Sequence, residues 1–313
     1  MYIPKICCKF AAKFLKNMSE FWKRTLFGAL YVGTVVASIL WNPWAFSVLF
    51  GIFCIWAVYE FHILMHSSHI QRGGAIVATL LLWLGTQWYI LAPESLAHSW
   101  GIYAIIGVMY LLVVFATLID ELWSKAENPV ANWGYLFISQ AMITLPFCAM
   151  TALYALDKWL LLALFVLIWV NDSGAYCVGV LTAKRPEGNH KMFPRVSPKK
   201  SWEGLFGGIA FAVLAAILLM RFGWFNNLIG ISVYGDANIF SHIIVALFAI
   251  LTCAFGTLGD LMESLLKRTI GVKDSGHFLP GHGGVLDRFD SMLLAAPVLA
   301  VYCWICYAVS FLL

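Results

Sequence analysis

Between Gly259 and Ser291 the chain gathers Asp260, Glu263, Lys267, Arg268, Lys273, Asp274, His277, His282, Asp287, Arg288 and Asp290, although charged residues make up only 12% of the protein. Asp260, Glu263 and Lys267 are spaced by three and four, so a helix presents them on one face, with Arg268 beside them. Asp287 and Asp290 are three apart, which lets both carboxylates face one point. Hard oxygen ligands of this kind suit Mg²⁺. Between the two groups, Lys273-Asp274-Ser275-Gly276 and Pro280-Gly281-His282-Gly283-Gly284 form a compact loop whose glycines offer backbone N–H groups to phosphate oxygens. His282, flanked by glycines, is favoured over His277 for such a contact. Carboxylates mixed with lysine and arginine are what phosphoryl or nucleotidyl transfer requires, because metal bridges the phosphates and cations offset developing charge. An ion-paired loop between two spans would account for the charges but not for the glycines around His282.

Two further polar motifs precede this stretch. Asn171-Asp172-Ser173-Gly174 follows an apolar run with no loop between. An aspartate at that depth is expensive unless paired or liganded, so the motif points to a polar cavity, with Asn171 and Asp172 as its chemistry. Gly174 permits either a close approach or a local break in the helix. Ser197-Pro198-Lys199-Lys200-Ser201-Trp202-Glu203-Gly204 reads as a loop that opens a helix, with Ser201 as its N-cap. The exposed N–H groups of that first turn, beside Lys199 and Lys200, make a phosphate site.

The elements that position these motifs are membrane spans. The 313-residue chain is 62% hydrophobic, with a mean hydropathy of +0.84. Its charged fraction is about half that of a soluble domain, which excludes a water-soluble body and predicts an all-α, polytopic helical bundle. Apolar segments place spans near 25–40, 43–62, 73–92, 99–119, 134–154, 158–180, 203–221, 238–258 and 291–313, about nine in all. Residues 1–24 interleave six Lys and Arg residues with apolar side chains and read as a basic amphipathic segment on a membrane surface. The remainder, 25–313, reads as one transmembrane catalytic domain with its core at 165–291. With the N-terminus in the cytoplasm, 18 of the 20 Lys and Arg residues fall on the cytoplasmic side, together with every charged motif. The C-terminus then lies on the opposite side. Nucleic-acid binding would need a basic face, and these cations sit between spans instead. The eight cysteines lie mostly in apolar segments and show no zinc or disulfide spacing. Glu60 and Asp120 each end an apolar run; either could serve a site, but a cap or an interfacial position explains both as well.

The pattern Ser264-x-x-Lys267-Arg268, Lys273-Asp274-Ser275-Gly276, Leu279-Pro280, His282-Gly283-Gly284, Asp287-Arg288-Phe289-Asp290 resembles, without departure, the signature of the phosphatidate cytidylyltransferases, also called CDP-diacylglycerol synthases. The resemblance implies an inner-membrane enzyme that converts CTP and phosphatidate to CDP-diacylglycerol and diphosphate. It implies Mg²⁺, with a second cation, divalent or K⁺. On this resemblance Asp260, Asp287 and Asp290 are metal-binding acids and Asp172 is a ligand or stands behind one. Lys267, Arg268, Lys273 and Arg288 clamp triphosphate or lipid phosphate, Asn171 and His282 contact substrate, and Ser197, Lys199, Lys200 and Ser201 form another part of the clamp. Many members carry arginine where this chain has Val180, and Lys184, Arg185 and Lys191 are the neighbouring cations that could replace it. A homodimer is compatible with this reading. The rival readings are a CTP-dependent lipid kinase and, from another class, an ion-coupled transporter. A transporter has no need to gather acidic and basic motifs on one face.

Overall fold

The computed structural model describes residues 20–93, 96, 99–184, 188–229, 239–276, 278 and 283–310. Helices α1 (Glu20–Trp41), α2 (Pro43–Leu64), α3 (His69–Leu91), α4 (Trp100–Asp120), α5 (Pro129–Leu156) and α6 (Lys158–Thr182) follow one another through short connections. A hairpin of β1 (Lys191–Phe193) and β2 (Ser197–Ser201) leads into α7 (Trp202–Arg221). A short α8 (Asn226–Ile229), the long α9 (Ile239–Thr269), a single turn α10 (Leu286–Phe289) and α11 (Met292–Ser310) complete the order. Among the described residues eight helices are long and apolar enough to cross a membrane, and the apolar part of α1, Thr25–Trp41, is a shorter ninth. The expected helical membrane bundle is therefore what the chain forms. The antiparallel hairpin, paired Lys191 to Ser201 and Phe193 to Ser197, is its one strand element among the described residues.

Local chemistry sets the boundaries. Asn42 separates α1 from α2; its side chain accepts the Ala45 amide at 2.8 Å, and Pro43 supplies the first helical position. The same pairing of Asn128 with Pro129 starts α5 earlier than the apolar run alone indicates. Helix α9 departs furthest from expectation. It does not stop at residue 258 but continues unbroken to Thr269, about 46 Å at 1.5 Å per residue. A hydrocarbon core is about 30 Å thick, so the last turns reach the polar layer. Gly271, at φ +75°, ends the helix, where the Val272 amide donates to Lys267 O at 2.9 Å and the Gly271 amide to Arg268 O at 3.2 Å.

Helix α9 is central to the site: α7 and α11 pack on it, and α6 packs along α7. Phe289 fixes α10 to the core. It is fully buried, with ring centroids of Phe147 at 4.9 Å, Phe53 at 5.4 Å, Phe50 at 6.0 Å and Phe165 at 6.2 Å. One aromatic plug from the C-terminal motif is thereby held by α2, α5 and α6.

Candidate functional site

Helix α6 runs through the Asn171–Gly174 motif without a break. Gly174 serves a close approach instead, since a Cβ there would lie 2.9 Å from Phe211 on α7. Gly208 does the same one turn away: a Cβ there would stand 2.5 Å from Asn171 Oδ1. The small residues of α7 thus let α6 bring Asn171 and Asp172 against it. Ser201 caps α7 as expected, its Oγ accepting the Gly204 amide at 3.2 Å. Pro198 does not open the helix, because it lies within β2. The result is a pocket of about 540 Å³ whose polar lining includes Asn171, Asp172, Lys191, Lys199, Lys200 and Ser201. Val180 lines it too, and Lys191 on β1 is the cation that shares the space with it. Lys184 is exposed and outside the lining, and Arg185 lies outside the described residues.

Asp172, in the pocket wall, is electrostatically linked with two further acids, Asp260 on α9 and Asp290 just after α10. Lys200 Nζ pairs with Asp260 Oδ2 at 2.5 Å and donates to Thr257 O at 3.4 Å. Asp172 feels both Lys200 and Asp260, and Asp290 feels Asp260, Lys267 and Asp172. Asp290 Oδ1 accepts the Ser291 amide at 2.6 Å. Desolvation, followed by the Asp260 charge, pushes the Asp290 carboxyl above the usual carboxylate range. Among the described residues no three His, Cys, Asp or Glu side chains converge closely enough to enclose a metal ion. The arrangement is a loose acidic triangle with Lys200 on one corner.

Asp287 plays a different part from Asp290. Its Oδ1 accepts Lys267 Nζ at 2.7 Å, and its Oδ2 accepts the Gly284 amide at 2.7 Å, the Ser275 amide at 2.8 Å and Ser275 Oγ at 3.0 Å. Burial alone would raise its pKa; the Lys267 ammonium and the two amides outweigh this and hold it below the usual range. Lys267 also pairs with Glu263 one turn back, which is fully buried. Glu263, Lys267 and Asp287 therefore form a buried ion triad tying α9 to α10. The three-residue spacing of Asp287 and Asp290 does not aim both carboxylates at one point: Asp287 braces the loop and Asp290 faces the triangle.

Sequence reasoning missed Glu60. It is not a cap but a buried side chain inside α2. Its carboxylate accepts the Leu286 amide at 3.0 Å, Trp56 Nε1 at 3.1 Å and Ser275 Oγ at 3.4 Å. Gly276 must be small here, since a Cβ would stand 2.5 Å from Glu60 Oε1. The signal available was a carboxylate within an apolar helix, which requires a partner. Glu60→Ala is expected to strand these donors and cut turnover about 10–100-fold, the range for groups that orient a site from behind, while Glu60→Gln restores most of it. Steady-state kinetics on both variants checks this, and equal loss in the two would sink it.

Other expected residues are placed less centrally. Arg268 and Lys273 are exposed and do not line the pocket, and the guanidinium of Arg268 donates to Val272 O at 3.4 Å. Ser197 opens β2 without reaching the pocket lining. Arg288 is among the residues lining an apolar groove beside α1 and α2, and Tyr31 donates to its carbonyl at 3.4 Å. His277 and His282 lie outside the described residues.

A helical membrane bundle with lysines around a polar pocket and acids behind it defines a class: integral membrane proteins built to handle phosphate groups. The chain belongs to the cytidylyltransferase family, whose model matches residues 22–306. It is 33% identical over 308 residues to a phosphatidate cytidylyltransferase of Haemophilus influenzae, covering 90% of this chain and 97% of the relative. Proteins of the same description match from Bacillus subtilis, at 30% identity over 90% of this chain and 97% of the relative, and from Pseudomonas aeruginosa, at 32% over 89% and 88%.

Proposed function

We propose that this protein is a nucleotidyltransferase that converts CTP and phosphatidate to CDP-diacylglycerol and diphosphate. The observation that carries the reading is the pocket lined by Lys191, Lys199, Lys200 and Ser201, with Asp172 in its wall and Lys200 paired to Asp260. Arg288 lines a separate apolar groove beside α1 and α2. Lysines suited to a soluble triphosphate and an arginine in apolar surroundings suited to a lipid phosphate are the two receptors that the reaction needs. The charge distribution supports a cytoplasmic N-terminus and a cytoplasmic site face, as expected for an enzyme of the inner membrane that draws on soluble CTP.

In this reading Lys191, Lys199, Lys200 and Ser201 hold the triphosphate, and Arg288 receives the lipid phosphate. An oxygen of that phosphate bonds to the α-phosphorus of CTP as the bond to the bridging β-phosphate oxygen breaks, and diphosphate leaves with the electron pair. The nucleophile is already anionic, so alignment and charge relief are the main requirements. The donor set of Asp172, Asp260 and Asp290 is all hard oxygen with a surplus of negative charge over Lys200, which is the donor chemistry of Mg²⁺, although among the described residues the three do not converge closely enough to enclose an ion by themselves. When bound there, Mg²⁺, with a second cation, divalent or K⁺, would offset phosphate charge.

The test supplies purified protein in liposomes with phosphatidate, Mg²⁺ and CTP labelled at the α-phosphate. Label in the lipid fraction with matching diphosphate release is the expected result. Transfer only from the γ-phosphate would make the protein a lipid kinase, and no turnover by folded protein would favour the transporter reading.

A further inference from the structure

We propose that Glu203 is a positioning residue for nucleotide binding: it ties the start of the hairpin to α7 and so holds the hairpin's lysines at the pocket. This rests on the reaction proposed above. His190 directly precedes Lys191, and the first turn of α7 takes both of its backbone polar groups. Its amide donates to the two carboxylate oxygens of Glu203 at 3.1 and 3.2 Å, and its carbonyl accepts the Trp202 amide at 3.0 Å. The imidazole Nδ1 is paired with Glu203 Oε1 at 2.6 Å. One residue earlier, the Asn189 side chain donates to Gly179 O, near the end of α6, at 2.8 Å. The chain entering β1 is thus tied to α6 and α7, and residues of both helices line the pocket.

The hairpin needs such a tie. A two-stranded hairpin on its own is marginal in water. This one pairs only Lys191 with Ser201 and Phe193 with Ser197, with an irregular register between them. It nevertheless carries Lys191, Lys199 and Lys200, three cations of the pocket. At the β2 end the chain runs directly into α7, which fixes Lys199 and Lys200 from one side. At the β1 end Glu203 supplies the hold. Glu203 does not line the pocket itself, so it acts through the lysines and not on the nucleotide. An acid in the first turn of a helix ordinarily serves the helix dipole. The dipole requires only the charge, whereas the contacts to His190 require the length of the glutamate side chain. The two roles therefore rank aspartate and glutamine at this position in opposite orders.

The experiment compares wild type with Glu203→Ala, Glu203→Gln, Glu203→Asp and His190→Ala in one detergent, varying CTP and phosphatidate separately. Glu203→Ala is expected to raise KM for CTP about tenfold, the scale of one hydrogen bond to a charged group, with kcat within about threefold and KM for phosphatidate within about twofold of wild type. Glu203→Gln keeps the reach and an acceptor for the His190 amide, so its KM for CTP should stay within about threefold of wild type. Glu203→Asp keeps the charge but is one methylene shorter, and should resemble the alanine variant. His190→Ala leaves the amide contact in place and should lose less than Glu203→Ala. The rise in thermal midpoint on adding CTP without lipid should follow the same order. An unchanged KM for CTP in Glu203→Ala would overturn the assignment. So would a normal aspartate variant beside an impaired glutamine variant, which would give Glu203 to the helix dipole. A lowered midpoint with equal losses in kcat and both KM values would make the residue structural only and overturn it as well. Absence of turnover by wild type would remove the reaction proposed above, and the midpoint shifts with CTP would still decide the role of Glu203.

Discussion

Lys267→Met is expected to lower the stability of the purified protein by about 3–5 kcal/mol, the range for breaking a buried ion pair from one side. The lysine stands between Glu263 and Asp287, both buried. Removing it leaves two carboxylates facing each other across the junction of α9 and α10. Among the described residues Glu263 has no donor other than Lys267 facing its carboxylate. Asp287 keeps its amide donors from Ser275 and Gly284 but loses the cation that does most to hold its pKa down. Arginine is a poor substitute, because its planar fork does not occupy the place of a compact ammonium. The folded-state pKa of Asp287 is depressed, so its contribution is present above the unfolded carboxylate value near 4 and is lost as pH falls through the folded value. In Lys267→Met that loss should begin at higher pH. Thermal unfolding in detergent across an acid series reads both effects. The double variant Lys267→Met/Glu263→Leu should recover part of the loss, as coupled neighbours are not additive. An unchanged midpoint in the single variant would mean the triad contributes nothing.

The fate of Asp287 also shows what could be read from the chain and what could not. Span positions were legible because apolar length and charge asymmetry are one-dimensional quantities, and a bilayer imposes them on every segment. Ser201 was legible as a cap because capping is local. The division of labour between Asp287 and Asp290 was not. Both lie on one turn, and what separates them is Phe289, whose anchoring among Phe50, Phe53, Phe147 and Phe165 decides which way each neighbour faces. Those rings come from three distant helices. Glu60 was missed for the same reason: its partners Ser275 and Leu286 lie 215 and 226 residues away. The N-terminal spans show no chemical motif in one dimension, yet α2 carries Glu60, the strut behind the loop. The helical spacing of Asp260, Glu263 and Lys267 was legible, but not that their helix is continuous with the span before it, since a change from apolar to charged residues marks the membrane edge and not a helix end.

Asp290→Asn is expected to reduce turnover about 10²–10³-fold, as loss of one preorganised charge at a reacting phosphate does, without lowering the thermal midpoint of the metal-free protein. The two halves of this expectation have one cause. Asp290 is desolvated and repelled by Asp260 and Asp172, with the Ser291 amide and Lys267 compensating only in part. A carboxylate kept in such a place opposes folding unless a cation joins it. Asparagine retains the shape and the acceptor for the Ser291 amide while removing the charge, so the apo protein should be as stable as wild type or more so. Added Mg²⁺ should then raise the midpoint of wild type and fail to raise that of the variant, because a ligand stabilises only the state that binds it. Asp287→Asn should behave in the opposite way. It disturbs a carboxylate already satisfied by Lys267, Ser275 and Gly284, so its midpoint falls before any metal is added. Measuring midpoints with and without Mg²⁺ on both variants separates an acid that holds a cation from one that braces a loop. If Mg²⁺ stabilised Asp290→Asn as strongly as wild type, the metal would have to be sought away from the triangle of Asp172, Asp260 and Asp290, and the approach of the two phosphates described above would need a different centre.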